Sequence, residues 1–543
     1  MKKNCLKALT VLSFAVIMSV CSVQNASAVF ELFDGKLQVS GFIKETAYYK
    51  INKFDREYKG PKRGQSTRLD FLMTSAYLET LVNIKEDPFG WNVRLFTGLR
   101  YWWEKAPLID GNQYDAIADF HRNRYMGPRS FVDDMLTECY LDIQKGPWQV
   151  KLGKQIVIWG QNDVGRVADV VNPLKLVHGV PGVDTWEEVK RGLWMIRAFY
   201  QSNLPGNLLF EVIFDPGDHK AADTMGYAGT HWGEPYSHSG LAQASGFNES
   251  GIVNYMAEGM QRANPSWDID ETYSFGGRIM GQTGNFNWSV LIWNRLMDLP
   301  LVRSDKLMGY GATWAAAQMS DPFQAPSFDN VDEVFDYKRF TTIGGTVMTE
   351  WPWLHYTTWD LEWFYEINSP LNQSPTGDQM DIMLLRGDGT HYPMTRKDIF
   401  GFSLKVGDRF RMPDFMNNML GTTKKVDWTF TYFFEKVLGH NEYLVINDRY
   451  HKQRDSVADG MSFWCKVELF NSAFAFVNIS SYYLKTSGQM HVPTLVYYFP
   501  ISVLNGGLRA TVGVKIYLRQ EHDAVFTNYD KKDSIIMRLS YEF

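Results

Sequence analysis

Cysteine is scarce in this chain, and long apolar runs are nearly absent. Only four of its 543 residues are cysteines, Cys5, Cys21, Cys139 and Cys465. The last two lie far apart in sequence, so their spacing predicts neither a disulfide framework nor a Cys-x-x-Cys metal site. Beyond residue 20, charged residues interrupt every apolar stretch, which leaves no further candidate for a membrane-spanning helix.

Motifs of the common enzyme classes are also missing. The sequence contains no Gly-x-Ser-x-Gly elbow, no phosphate-binding P-loop and no His-Glu-x-x-His zinc motif. We therefore predict no catalytic residues and no cofactor. An outer-membrane hydrolase with a Ser–His pair is the alternative, because such a pair need not form a sequence motif. His219, His231 and His238 fit no known metal spacing, so we interpret them as exposed loop histidines and predict no metal site. The net charge of −6 disfavours a nucleic-acid partner.

The first 28 residues have the organisation of a secretory signal peptide. Three lysines precede a short apolar run from Leu9 to Val20, and Ala26-Ser27-Ala28 supplies the small-x-small pattern that a signal peptidase needs. We predict cleavage after Ala28. Cys21 raises the alternative of a lipoprotein, but the bulky valine before it does not suit the usual lipobox. Residues 29–543 are then the mature protein, which we predict to be one domain.

Composition and alternation favour a β protein. Aromatic residues make up 15% of the chain and charged residues only 21%, with 44 glycines. From Ser534 to Phe543, apolar side chains occupy the odd positions and mostly polar ones the even positions, which is the period of a strand. A closing strand with one apolar and one polar face, ending on Phe, is typical of bacterial outer-membrane barrels. A large secreted β protein, such as a carbohydrate binder, is the alternative.

The same strand pattern repeats along the chain. Four further strong strands begin near Leu37, Trp91, Val426 and Leu508. Weaker ones begin near Arg68, Leu136, Trp148, Arg191, Asn207, Glu271, Asn285, Phe340, Tyr356, Lys397, Ser462, Phe474 and His491. The pattern predicts an all-β fold, a single antiparallel transmembrane barrel of about 16–18 strands.

The connections between these strands alternate between short and long. Short turns such as 86–90 and 146–147 contrast with three long inserts, Ala106–Ser130, Asp215–Asp270 and Leu299–Asp336. This asymmetry predicts tight turns on one rim of the barrel and long loops on the other, together with a possible plug in the lumen.

The segment between Lys154 and Arg197 is the densest candidate for function. A strand ends at Gly160, and charged residues then alternate with valines up to Pro173. We predict that this stretch narrows the lumen, with Arg166 paired to Asp163 or Asp169 at helical spacing. A solvated loop with incidental ion pairs is the alternative. The predicted constriction residues are Asp163, Arg166, Asp169 and Asn172.

A second set of candidate residues is cationic and falls on the polar faces of predicted strands. These residues are Arg94, Arg100, Arg509, Lys515, Arg519 and Arg538. Inward-facing cations are how porins favour anions, so they predict a porin-like channel or transporter for a small solute that we do not identify. A scaffold or export-machine barrel without conductance is an alternative. A transporter of hydrophobic substrates, lined by Trp351, Trp353, Trp359 and Trp363, is another.

Several of these motifs carry a resemblance to a known family. Gly153-Lys154-Gln155, Trp159-Gly160, Asp169 to Leu174 and Leu193 to Arg197 resemble the proteobacterial outer-membrane proteins of domain-of-unknown-function family 1302. Where the family often has Trp-Gly-Glu, this chain has Gln161. The resemblance implies a barrel in the outer membrane of a Gram-negative bacterium, but it implies no substrate. The expected partners are outer-membrane lipid and, during biogenesis, the barrel-assembly machinery.

Overall fold

The structure of the chain is a computed structural model. It describes residues 29–51, 69–86, 90–105, 127–128, 130–160, 167–175, 184, 186–222, 259–303, 306, 333–351, 357–373, 394–421, 426–441, 444–446, 449–485, 487–503, 506–518 and 533–543. The predicted signal peptide, residues 1–28, lies outside this range and stays a prediction.

Eighteen strands form one continuous antiparallel sheet. They are β2 (Leu37–Lys50), β3 (Leu69–Glu86), β4 (Asn92–Glu104), β5 (Leu136–Lys145), β6 (Trp148–Gln155), β7 (Leu193–Gln201), β8 (Leu209–Asp215), β9 (Ser274–Thr283), β10 (Phe286–Leu296), β13 (Arg339–Trp351), β14 (Thr357–Asn372), β15 (Met394–Phe410), β16 (Val426–Val437), β19 (Val457–Leu469), β20 (Phe474–Tyr483), β21 (Gln489–Val503), β22 (Gly506–Leu518) and β23 (Ser534–Glu542). Numbering follows the chain and includes five shorter strands, β1 (Phe30–Leu32), β11 (Leu301–Val302), β12 (Phe335–Asp336), β17 (Val445–Ile446) and β18 (Arg449–Gln453).

The sheet closes on itself. Each long strand pairs with the next one along the chain, and β23 returns to pair with β2 from Phe42↔Glu542 to Lys50↔Ser534. The predicted closed barrel of 16–18 strands is therefore confirmed, with eighteen strands. Each of them begins within five residues of a predicted start.

The first and last residues of the sheet meet at this closure. β1 pairs with the beginning of β2, on the same side of β2 that β23 occupies further along. The backbone N–H of Phe543 donates to the carbonyl of Gly41 at 2.9 Å, and the Phe543 ring lies 5.8 Å from that of Phe30. β1 thus continues the line of β23, so both ends of the sheet are held in one seam.

The outer face of the barrel is apolar. Exposed outward side chains include Ile196, Val212, Val290, Ile292, Leu361, Leu495, Val512, Met537 and Leu539. Outward aromatic rings also pack across neighbouring strands, as Trp148 does on Tyr200 with ring centroids 4.5 Å apart. An apolar band with aromatic side chains near its rim is typical of membrane barrels, because lipid removes the cost of exposing apolar surface. Among the described residues, no helix is both long and apolar enough to cross a membrane.

The two rims of the barrel differ. Both ends of the described chain and most short connections, such as 146–147 and 284–285, lie on one rim, which we call the turn rim. Most connections on the opposite rim, the loop rim, are long, as expected from the sequence. Short helices in the described connections include α1 (Trp186–Val189), α2 (Ile269–Thr272) and α3 (Asp414–Leu420), and a π-helical turn spans Phe131–Met135.

Candidate functional site

The connection from β6 to β7, residues 156–192, turns into the barrel. We call it the inner segment, and the structure describes its residues 156–160, 167–175, 184 and 186–192. Val157, Trp159, Val170 and Val171 are buried there against side chains of β7, β8 and β10. These contacts form an apolar core inside the barrel. In a soluble β protein, the core would lie between layers of sheet instead.

Asn172 joins three parts of the inner segment. Its side-chain oxygen accepts from the Val157 N–H at 2.6 Å. Its side-chain nitrogen donates to the carbonyls of Gln155 at 3.0 Å and Arg191 at 2.8 Å. Since Asn172 is fully buried, these hydrogen bonds satisfy backbone groups that water does not reach. The beginning, middle and end of the inner segment are thereby held in one arrangement.

Glu211 of β8 fixes the same segment to the barrel wall. The indole N–H of Trp159 donates to Glu211 Oε2 at 3.1 Å. Arg197 and Arg278 donate to the same carboxylate, at 2.8 Å and 2.6 Å. A buried carboxylate is tolerated only when its charge is paired and hydrogen-bonded, and here two guanidinium groups supply both. Trp159 is thus held at a defined depth in the lumen.

Gly160 brings the inner segment against the far wall. A Cβ at this position would lie 2.9 Å from Glu362 Oε2 and 3.1 Å from Asp169, so only glycine fits without movement. The next described residues continue the contact, because the Ala168 N–H donates to Glu362 at 3.2 Å. Val167 packs beside Phe364, which is also on β14. This is the physical reason for glycine in the Trp159-Gly160 motif.

A second set of charges holds the inner segment on the opposite side of the barrel. Asp184 accepts from Lys44 of β2 at 3.0 Å and from Arg538 of β23 at 2.8 Å. Glu188 of α1 also pairs with Lys44, and its carbonyl accepts from Arg100 of β4 at 2.5 Å. We call Lys44, Arg100, Asp184, Glu188 and Arg538 the Asp184 cluster. Lys44, Arg100, Asp184 and Glu188 are almost completely buried, and Arg538 keeps 14% of its side-chain surface exposed.

The two attachments lie far apart around the ring. Between β14, which contacts Gly160 and Ala168, and β23, which contacts Asp184, stand six strands on one side and ten on the other. The described parts of the inner segment therefore reach across the lumen from β14 to β23. Irregular backbone at membrane depth needs protein or water around it, and this segment has the protein wall on both sides.

The structure places the predicted constriction residues as follows. Asp169 and Asn172 are buried in the inner segment, and Asp169 forms an ion pair with Lys190. Asp163 and Arg166 lie outside the described residues, so their predicted pairing stays a prediction. Residues 167–173 form bends rather than a helix.

The predicted inward cations lie on the inner strand face in every described case. Arg100 and Arg538 belong to the Asp184 cluster, and Arg94 pairs with Asp142 at 2.6 Å. Lys515 is buried with its ammonium 5.1 Å from the centre of the Tyr48 ring. Arg509 pairs with Glu542. Arg519 lies outside the described residues.

Sequence reasoning missed the acidic partners Asp184, Glu188 and Glu211. They sit in segments without a motif of their own, and Asp184 is 354 residues away from Arg538 along the chain. Only the alternation of Glu211 with outward Phe210 and Val212 could have indicated that it points inward.

The inner face near the turn rim differs from the centre because it is partly exposed to solvent. Arg409 and Asp427 pair at 2.9 Å, with 74% and 31% of their side-chain surfaces exposed. The pair Arg509–Glu542 is exposed by 37% and 45%. We call the inner face formed by Arg409, Asp427, Arg509 and Glu542 the vestibule. Charges of both signs line it, and water reaches them.

The tryptophans considered for an apolar path have a different position. Trp359 and Trp363 of β14 alternate with the buried, inward Asp360, Glu362 and Phe364. They therefore lie on the outer face, and Trp351 packs edge-on against outward Phe286. Trp353 lies outside the described residues.

His219 belongs to the loop-rim packing rather than to a metal site. One ring nitrogen lies 2.6 Å from Asn264 Oδ1 and the other 3.1 Å from the Met297 carbonyl. Burial lowers the pKa of His219, and this effect outweighs the opposing influence of Asp298 and the two hydrogen bonds. Among the residues that the structure describes, no three His, Cys, Asp or Glu side chains are grouped to hold a metal ion. The prediction of an exposed loop histidine is wrong for His219, which is buried, and His231 and His238 lie outside the described residues.

The motif residues thus meet in one place, and a family comparison covers the same part of the chain. Residues 9–211 match the family described as "Protein of unknown function (DUF1302)". The predicted resemblance is confirmed over that range. The match includes Gln155, Trp159, Asn172 and Glu211, which form the contacts above. The chain has no match among curated protein sequences.

Solved structures with similar architecture share little sequence with this chain. OccAB1 of Acinetobacter baumannii is 8% identical, with a TM-score of 0.44 over 93% of this chain and 96% of that one. A BenF-like porin from Pseudomonas fluorescens Pf-5 is 8% identical, with a TM-score of 0.44 over 94% and 97%. Pseudomonas aeruginosa OccK2 (OpdF) in complex with glucuronate is 7% identical, with a TM-score of 0.43 over 93% and 97%. No conclusion about substrate rests on these similarities.

Proposed function

We propose that this protein is a porin-like channel of the bacterial outer membrane, in which small polar solutes pass the inner segment. The observation that carries the proposal is the vestibule, because water reaches charged side chains inside the barrel there. We propose no catalytic role for these residues.

The inner segment sets the narrowest part of the path in this proposal. Its described parts lie between Glu362 and the Asp184 cluster, and the described carboxylates Asp169, Asp184 and Glu188 form ion pairs. A charge at a constriction acts strongly on passing ions, since the lumen there offers little water to screen it. We propose that this segment limits conductance and selectivity, as the pattern from Gly160 to Pro173 predicts.

Single-channel recording in a planar bilayer tests the proposal. Deleting residues 161–166, or changing Arg166→Ala, should raise the conductance and shift the ion selectivity. Lys485→Gln is the matched control, because Lys485 pairs with Asp455 in an exposed position beyond the lumen. Heat-modifiable mobility in gels confirms that each variant is folded before it is recorded.

The outcomes separate the candidate functions. If the native and the deleted proteins are both silent, the channel fails and a scaffold or export partner becomes the better explanation. If both conduct identically, the channel stands but the inner segment does not limit it.

A further inference from the structure

The turn between β15 and β16 carries a short helix with an apolar face that the barrel does not cover. Phe415 and Met419 of α3 are 71% and 69% exposed, and one helical turn places them side by side. Exposing two large apolar side chains to water costs free energy, because removing apolar surface from water is favourable. An exposed apolar pair of this kind needs an occupant.

The residues of α3 divide into two sectors. At roughly 100° per residue, Phe415, Met416, Met419 and Leu420 share one arc of about 140°. The remaining arc is polar and consists of Asp414, Asn417 and Asn418. Asn417 is buried and its side-chain N–H donates to the Met412 carbonyl at 2.8 Å, so this part of the polar arc packs against the protein, on the side opposite Phe415 and Met419.

Contacts at its C-terminus fix α3 to a neighbouring turn on the turn rim. Gly421 ends the helix in the left-handed region with φ of 59°. The Leu420 carbonyl accepts from the Phe470 N–H at 3.0 Å, and the Gly421 carbonyl accepts from the Asn471 N–H at 2.7 Å. α3 is therefore bonded to the turn between β19 and β20.

An outward aromatic band begins at this turn. Phe470 packs edge-on against Phe474 with ring centroids 5.9 Å apart. Phe474 contacts Tyr497 at 4.7 Å, and Tyr497 contacts Phe499 at 4.7 Å. The C-terminal end of α3 therefore lies beside the first ring of an aromatic band on the outer, apolar surface of the barrel.

We propose that α3 is an interfacial helix that inserts Phe415 and Met419 into the headgroup region of the lipid leaflet at the turn rim. Asn418, which is exposed at the edge of the polar arc, then faces water. Interfacial helices bury their apolar face about 5–10 Å into the headgroup and acyl boundary, and aromatic girdles lie at the same depth. The inference rests on the barrel being in a membrane, but not on its being a channel.

Site-directed spin labelling in phospholipid vesicles tests the proposal. Cys139 and Cys465 are the free thiols among the described residues, and the predicted cleavage after Ala28 removes Cys5 and Cys21. A Cys139→Ser, Cys465→Ser background therefore leaves one reactive site in each labelled variant. Nitroxides are attached after Phe415→Cys, Met419→Cys or Asn418→Cys, the last being the matched control on the same helix. Collisions with lipid-soluble oxygen and with a water-soluble nickel chelate report the depth of each label.

The expected result is several-fold greater protection from the nickel chelate at 415 and 419 than at 418, with higher oxygen accessibility. Equal nickel accessibility at all three sites would overturn the proposal, because the apolar face of α3 would then be no better shielded from water than Asn418. Spin–spin broadening at 415 that disappears on dilution with unlabelled protein would also overturn it, in favour of a second copy. Because two apolar sites are labelled, the test can still be made if one variant does not fold. The expected label depths do not depend on whether the barrel conducts ions.

Discussion

Buried carboxylates determine where the aromatic and basic side chains inside this barrel lie. Glu211 receives the Trp159 indole and two guanidinium groups, and it is almost fully buried. Water does not solvate a carboxylate in this position, so the loss of each hydrogen-bond donor raises the free-energy cost of keeping Glu211 ionised.

Replacing Trp159→Phe removes one donor to this carboxylate while it keeps an aromatic ring. We expect the free energy of unfolding to fall by about 1.5–3 kcal/mol, the range for hydrogen bonds to charged groups. Urea titration of the barrel in lipid vesicles measures the change. Trp148→Phe is the control, since Trp148 is exposed on the outer face and should change stability less.

His219 makes the loop-rim packing sensitive to pH. Its pKa in the folded protein is lowered by burial, so the unfolded chain binds a proton more readily. Folding around His219 therefore loses stability as the pH falls below the unfolded pKa of about 6.5. Asp298 favours and Arg295 opposes the charged form, while Asn264 and the Met297 carbonyl contact the ring.

Hydrogen exchange measures this effect at residues 216–222 and 259–268. We expect exchange there to accelerate between pH 7 and pH 5 relative to the strands, after correction for the intrinsic rate. In His219→Gln this extra acceleration should disappear. An identical pH dependence in both proteins would show that another group is responsible.

At the scale of the element, the inner segment depends on its attachments at both walls. Asp184 holds one side through Lys44 and Arg538, and removing its charge leaves two buried cations with fewer partners. Breaking a buried ion pair by removing one partner typically costs roughly 3–5 kcal/mol.

Asp184→Asn should therefore lower the temperature at which the barrel loses its compact gel mobility. Asp455→Asn is the matched control, because its pair with Lys485 is exposed and such pairs contribute at most about 1 kcal/mol. Restored stability in Asp184→Asn combined with Arg538→Met would indicate that the unpaired cation causes the loss. Equal thermal stability of the two single variants would show that the Asp184 cluster does not hold the segment.

The elements themselves were readable from the sequence, whereas the contacts inside the barrel were not. Strands such as β4 and β22 can be predicted because an apolar outer face and a polar inner face impose a sequence period of two. β1, with three residues, is too short to show that period. Asp184 and Arg538 are brought together only by closure of the barrel, and no local spacing encodes such a pair.

At the scale of the whole molecule, the seam between β23 and β2 decides whether the barrel is closed. Phe543 donates its N–H to Gly41 and packs its ring on Phe30 and Tyr541. A charged residue there would lose the apolar end of the outer face, and with it the assembly signal that barrels of this kind are expected to carry.

Phe543→Asp should therefore reduce the amount of heat-modifiable, folded protein in outer-membrane fractions. Phe33→Asp is the control, because Phe33 is 74% exposed in the turn after β1. Normal membrane levels of the Phe543→Asp variant would contradict the expected role of the terminal residue.

The seam also has a consequence for the order of folding. It joins residues 42–50 to residues 534–542, so the first and last strands can pair only after the whole chain has been exported. Closing a flexible loop of that length costs about 5–6 kcal/mol of chain entropy, a cost that falls as intervening hairpins form and shorten the free chain. The seventeen neighbouring strand pairs are each local in sequence by comparison. Neighbouring strands should therefore pair before the barrel closes. Until β23 pairs with it, β2 should keep one edge without a strand partner.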